Sequence, residues 1–324
     1  MRSWQTSSTP KGLFWTALVT LTALSAVMSL GLGSVALSDA PEAAWRILRY
    51  IRLPRTCAAL LAGAALASAG AVIQTVLHNP LASPGVIGVN SGAGLLVAVV
   101  CAIAPGAQVY TPVIAFAGAL AAALLVSGLA RLTGASRLTV VLAGVAVSNI
   151  FSAGIDAVVT FVPEALGGVS DYRIGGFSGV TMERIAPAAV MIGVSLMVLM
   201  TLTRQMDVLA LGEETARSLG LNLGTVRFLL LVLAAALSGA AVSFAGLLGF
   251  VGLIVPHAMR RFLGEESGPL VAASALGGAC FVALCDTLAR VLFAPFELPV
   301  GVVLAFTGGP FFLWLLFRQR GGRT

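Results

Sequence analysis

The sequence predicts an all-α polytopic membrane protein that crosses the bilayer about ten times. Three observations carry this. Hydrophobic residues make up 58% of the 324 and charged residues only 10%, where soluble domains carry roughly a quarter charged; mean hydropathy is +1.01. Apolar runs near the roughly 20 residues that span a bilayer core of about 30 Å recur along the whole chain. The positive charges, nearly all arginine, sit in short stretches between those runs. In a soluble protein a net charge of +6 would point to nucleic acid; here the arginines signal topology instead. The chain reads as one transmembrane domain, 1–324.

The apolar runs are 13–37, 56–77, 86–104, 112–130, 138–162, 185–203, 228–245, 247–262, 270–293 and 299–317. The first is longer than the about 7–15 apolar residues of an ordinary signal peptide, so it is expected to stay as a span. After it comes WRILRYIRLPR, 45–55. Residue patterns leave two readings open there: an interfacial helix snorkelling its arginines, or a docking surface for an acidic partner. Small residues four apart, such as Gly63 and Ala67, Gly118 and Ala122, or Gly239 and Ser243, let helices approach closely in lipid. The stretch GGVSDYRIGGFSGV follows no strand pattern, so it reads as a loop with a short helix rather than a dinucleotide-binding turn. Residues 228–262 as one helix would be about 52 Å long, too long for a bilayer, and the run AGLLGFVG places a break near Ala245–Gly246.

The arginines check this division. With the amino terminus in the cytoplasm, twelve cationic residues fall inside, Arg131, Arg137, Arg204, Arg217, Arg227, Arg260 and Arg261 among them. Seven fall outside: Arg46, Arg49, Arg52, Arg55, Arg173, Arg184 and Arg290. The bias has the expected sign. Nine spans would put Arg227 and Arg260 on opposite sides, so ten spans with both termini inside is the prediction.

The longest polar stretch inside, 204–227, reads RQMDVLALGEETARSLGLNLGTVR. Its apolar and charged residues alternate, Glu213 and Arg217 stand four apart in the favourable order, and Gly212 and Gly220 punctuate it, Gly220 suiting a helix C′ position. Two short helices joined by a turn are predicted. They serve either as an amphipathic connector or as an element that receives force from a separate motor.

The chemistry is bounded by what is scarce. Lysine occurs once, at Lys11, and a phosphate-binding P-loop needs a lysine after its glycines, so no nucleotide is hydrolysed by that route. Cys57, Cys101, Cys280 and Cys285 lie in apolar runs without a CxxC and read as small hydrophobes. His78 and His257 are too few for a metal cluster and read as loop or interface residues; no metal site and no bound cofactor is expected. No HExxH and no GxSxG at a strand-to-helix turn offers catalysis. Intramembrane ionisable groups are functional candidates. Asp286 has Arg290 four residues on, which a local ion pair explains. Asp156 has no sequence-local partner and would be the coupling site if the protein were an ion-driven secondary transporter. Gln74, Asn90 and Asn149 either bond between helices or line a pathway.

The run IRLPRTCAALLAGAALASAGAVIQTVLHNPLASPGVIGVNSGAG (51–94) resembles the FecCD-type permeases, the membrane subunits of binding-protein-dependent ABC importers for iron–siderophores, haem and cobalamin. LALGEETARSLGLNLGTVR (209–227), AGLLGFVGLIVPHAMRRFLG (245–264) and ELPVGVVLAFTGGPFFLWLL (297–316) agree, in family order. The resemblance implies a type II ABC importer bundle of ten helices. It implies a second permease subunit, two ATPases that bind ATP and magnesium, and an extracytoplasmic binding protein. It implies that coupling helices at about 206–221, including Leu209, Gly212, Glu213, Arg217 and Gly220, seat in the ATPase. It also implies that Arg52, Arg55 and Arg290 meet acidic groups of the binding protein, and that Asn79, Ala135 and Ser136 form a cytoplasmic constriction, although Ala135 stands where the family often has a polar residue.

Overall fold

Among the residues that the computed structural model describes, 11–34, 43–132, 137–165, 170 and 172–320, the regular elements are all helical. In order they are α1 (Lys11–Gly31), α2 (Ala44–Ile47), α3 (Leu53–Val76), α4 (Val89–Ile103), α5 (Thr111–Leu132), α6 (Arg137–Phe161), α7 (Met182–Thr201), α8 (Thr203–Ala210), α9 (Glu213–Ser218), α10 (Leu223–Ala245), α11 (Val251–Leu263), α12 (Ser267–Val291) and α13 (Val300–Arg320), with short 3₁₀ turns between some of them. Ten of these are the predicted apolar runs; α2, α8 and α9 are connections. Six stretches are long and apolar enough to cross a membrane: Gly12–Gly31, Ala44–Val76, Leu142–Phe161, Met182–Thr201, Leu223–Ala245 and Ser267–Val291. The arginine-rich stretch is helical too, because α2 passes through a π turn at Leu48–Arg52 straight into α3.

At the centre is α3, packed against α10, α11 and α12. Its alanines and glycines let neighbours come close. A Cβ on Gly63 would lie 2.1 Å from the Gly278 carbonyl oxygen, and one on Gly278 only 2.2 Å from that of Gly63. The same exchange joins Gly92 of α4 to Gly118 of α5. Lipid tails are as apolar as leucine, so such close van der Waals contact takes the place of a hydrophobic driving force. Contacts along α1 keep it parallel to α12 and antiparallel to α3: Thr22 Oγ1 donates to Leu276 O at 3.3 Å, and the Ser29 and Thr56 hydroxyls are 2.8 Å apart. One end of the bundle therefore gathers the C-terminus of α3, the α8–α9 connector and the N-terminus of α12. The opposite end gathers the end of α1, α2 and the C-terminus of α12.

The predicted break is where the sequence puts it. After Ala245 the chain turns at Gly246 (φ 66°), and α11 begins after Phe250 (φ 65°). Backbone groups freed inside an apolar bundle must be satisfied within the protein. The glycine-rich stretch satisfies them: Leu247 N donates to Tyr172 O at 2.7 Å and Gly176 N to Ala245 O at 2.9 Å. The stretch carries a short helical turn at 172–174, in keeping with the reading of a loop with a short helix, and its described part is drawn into the bundle with Tyr172 and Phe177 buried. Within α11, Pro256 has no N–H, which leaves the Gly252 carbonyl without its helical partner. The Gln74 side-chain amide fills that place at 3.1 Å.

Candidate functional site: a tethered connector

Two short helices with a turn at Leu211–Gly212 form the connector, as predicted. Gly212 has φ 106°, which only glycine adopts easily. At the other end Gly220 (φ 80°) closes α9 as the C′ residue: Leu221 N donates to Ala216 O at 3.0 Å and Gly220 N to Arg217 O at 2.9 Å. Asn222 then starts α10 by accepting from Thr225 N at 3.2 Å. Met206, Leu209 and Ala216 are fully buried beneath the connector, while Leu211 and Leu219 remain 63% and 62% exposed on its outer side. Glu214 and Arg217 are exposed beside them.

The inner side is tied to two helix ends. Asp207 Oδ1 accepts from Ser267 N at 2.7 Å, filling one of the partnerless amides of the first turn of α12. His78, just past α3, donates from Nε2 to Leu209 O at 2.9 Å; a carbonyl can only accept, so that nitrogen carries the proton. The expected Glu213–Arg217 pair is not the one that forms. Arg227, at the start of α10, reaches Glu213 at 2.5 Å instead, and its hydrogen bond holds the Glu213 carboxyl below its ordinary value.

Beside the connector, Gln74 is 2% exposed, donates to Gly252 and accepts from Arg260. It is an interhelical bond, the plainer of its two predicted roles. Arg260 also pairs with Glu265 at 3.2 Å. Asn79 closes a turn by accepting from Leu81 N at 3.0 Å. Ala135 and Ser136, the other constriction residues expected, lie outside the described residues. Asn90 is part-buried on α4, its backbone oxygen taking the Tyr172 hydroxyl at 2.7 Å. Asn149 and Asp156 do share a face: with Ala153 and Thr160 they form an exposed stripe along α6. Asp156 is not isolated, since Arg173 pairs with it at the surface.

The opposite end holds a buried ionic cluster. Arg52, Arg55 and Arg290 are 3%, 6% and 2% exposed, so they do not present free cations as expected. Arg55 clasps the fully buried Asp286 through Nε and Nη2 at 3.0–3.1 Å and reaches Glu297 at 2.5 Å. Arg290 makes the predicted pair with Asp286 (3.2 Å) and also donates to Ser29 O and Leu32 O at 3.0 Å. Arg52 donates to Leu30 O at 2.9 Å and Gly31 O at 2.5 Å. The physical reason is the end of α1, whose last carbonyls lack helical partners and favour cations. For Glu297, burial alone would raise the carboxyl, but the hydrogen bond and charge of Arg55 win and hold it low. The exposed guanidiniums of this end include Arg46 and Arg49, the latter 5.8 Å from the Tyr50 ring centre.

Sequence reasoning missed the ties made by His78 and Asp207 and the role of Glu297. The partners of these residues lie 131, 60 and 242 positions away, beyond any local spacing rule.

A profile of the FecCD transport family matches residues 13–318. The chain belongs to that family. It is 36% identical over 321 residues to the hemin transport system permease protein HmuU of Yersinia pestis, covering 95% of this chain and 96% of that one. It is 37% identical to the Fe(3+) dicitrate transport system permease protein FecD of Escherichia coli (85% and 86% covered) and 39% identical to the cobalamin import system permease protein BtuC of Halobacterium salinarum (94% and 80%). A solved inward-facing conformation of a metal-chelate type ABC transporter superposes with a TM-score of 0.83 at 29% identity, over 93% of this chain and 97% of that one. As a FecCD member it is a multi-pass membrane permease.

Proposed function

We propose that this chain is the permease subunit of a binding-protein-dependent ABC importer whose cargo is an iron–siderophore chelate, haem and cobalamin being the neighbouring choices. The observation that carries it is the connector: a two-helix element tied on its inner side to the ends of α3 and α12, with an apolar outer side open at Leu211 and Leu219. Partner ATPase subunits bind ATP and magnesium and press on that outer side. With the connector in the cytoplasm, both termini lie there too. A second permease subunit covers the exposed α6 stripe, so that Asn149 and Asp156 line a pathway between the two. The binding protein docks at the opposite end. There Arg46 and Arg49 offer exposed charge, and Arg52, Arg55 and Arg290 hold the corner in place.

The test is reconstitution in liposomes. The permease alone moves nothing uphill; with its ATPase and binding protein it imports on addition of ATP, and Gly212→Pro, whose φ proline cannot adopt, hydrolyses ATP without import. Concentrative uptake by the permease alone, or normal ATP-driven uptake by Gly212→Pro, overturns the reading.

A further inference from the structure

We infer that His78 is a positioning residue that joins the connector to the turn carrying Asn79, so that a displacement of α8 is passed to that turn. The inference rests on the reading of the connector as the ATPase contact. The end of α3 is a Schellman cap. Asn79 N donates to Gln74 O at 3.0 Å and His78 N to Thr75 O at 3.1 Å, which makes His78 the C′ residue. Its φ is 48°, and among the described residues only one other non-glycine, Phe250, has a positive φ. Glycine is the residue this place favours, because it has no Cβ to crowd the left-handed backbone. What a histidine adds there is the imidazole, and the imidazole reaches Leu209 O of α8 at 2.9 Å.

Both ends of this link are stiff. Leu209 is fully buried and lies in the last turn of α8, so its carbonyl moves with that helix. On the other side Asn79 follows directly in the chain and builds a closed turn, with Leu81 N on its Oδ1 and Ala82 N on its O, both at 3.0 Å. A side chain with two torsions thus joins the connector to a turn hung on the end of α3. The neighbouring bonds from Gln74 reach α11, not the connector.

The experiment uses the assembled importer, with its ATPase and binding protein, in nanodiscs. It needs no knowledge of the cargo, because its readout is the stimulation of ATP hydrolysis by the binding protein. His78→Gly relieves the backbone and removes the link. Its thermal midpoint is expected at or above that of the parent, while stimulation falls about five- to tenfold, the scale of one lost hydrogen bond. His78→Gln keeps an N–H that reaches the same carbonyl, so stimulation stays within about twofold of the parent, as the bond it restores requires, although the midpoint drops. A residue that only stabilises the fold would move midpoint and stimulation together in both variants, and that outcome overturns the inference. So does full stimulation in His78→Gly. Cross-linking of Leu211→Cys to the ATPase in the His78 parent separates the two claims: no cross-link sinks the connector reading itself, whereas a cross-link with full stimulation in His78→Gly sinks the link alone.

Discussion

Replacing Asp286 by alanine should be among the most damaging single changes at the Arg55 end of the bundle. The carboxylate is fully buried between two guanidiniums whose side chains are 7% and 3% exposed. Alanine removes three hydrogen bonds from Arg55 and the pair with Arg290, and leaves the cations facing apolar helices. Breaking a buried pair this way costs about 3–5 kcal/mol, mostly the penalty of an uncompensated charge. Arg55 would keep Glu297, and Arg290 would keep the carbonyls of α1, so the lower half of that range is expected. Glu297→Gln is the internal comparison. Its carboxylate is 31% exposed and water can replace part of what Arg55 loses, so about 1 kcal/mol is expected. Asp156→Asn, in a pair whose side chains are 45% and 62% exposed, should change stability by roughly 0.5 kcal/mol or less. The assay is reversible unfolding in mixed micelles followed by helical circular dichroism. The order Asp286 well above Glu297 above Asp156 is the prediction. An Asp286→Ala variant no less stable than Glu297→Gln would refute the argument that this cluster neutralises buried charge.

Three further expectations are quick to check. Gly63→Ala forces α3 and α12 apart at the Gly278 carbonyl and should cost about 1–3 kcal/mol, as overpacking does, while Gly193→Ala, which meets nothing within 4 Å, should be neutral or stabilising by up to about 1 kcal/mol; equal effects would remove the close-crossing account. Arg46→Glu with Arg49→Glu should slow binding-protein association about tenfold at low salt, with the loss shrinking as salt is added; an unchanged rate would place the docking surface elsewhere. Because Glu213 is held below its ordinary value, the hold of Arg227 on α9 is complete above the unfolded glutamate pKa of about 4.3 and is lost as pH falls through the lower folded value; a spin label at Ser218→Cys should loosen only in acid, and in Arg227→Ala should already be loose at neutral pH and insensitive to acid.

Much of the fold was legible because lipid enforces simple rules. A span needs length and apolarity, so the ten runs became ten helices, and a helix too long for the bilayer had to break, which it does at Gly246. The connector was legible as far as local chemistry reaches: Gly220 takes the positive φ of the C′ position it was expected to fill, and Gly212 sits at the turn between the two short helices. Its ion pair was not, because Glu213 had Arg217 within reach and the fold brought Arg227 closer in. The arginines at the other end show the limit more sharply. A guanidinium beside an apolar run looks the same in sequence whether it faces a partner or caps a helix, and what decides is the end of α1, which arrives from more than twenty residues upstream. Family resemblance carried the outward reading, while the orphan carbonyls of α1 and the charge of Asp286 turn these side chains in.

The two polar clusters are also not independent of one another. At the connector end, His78 holds the terminus of α3 to α8, and Asp207 holds the first residue of α12 to the same helix. At the far end, Arg55 of α3 is clasped to Asp286 of α12. Between them the carbonyls of Gly63 and Gly278 leave no room for a Cβ on the facing glycine. Two antiparallel helices fixed at both ends and at one crossing have little freedom to slide, because sliding would break bonds at every one of those points together. On the proposed reading of the connector as the ATPase contact, a push on α8 would reach α3 and α12 as a pair, because both are bonded to that helix. The polar groups that fix the pair sit towards its ends, and at its crossing the facing glycines Gly63 and Gly278 bring the two backbones together.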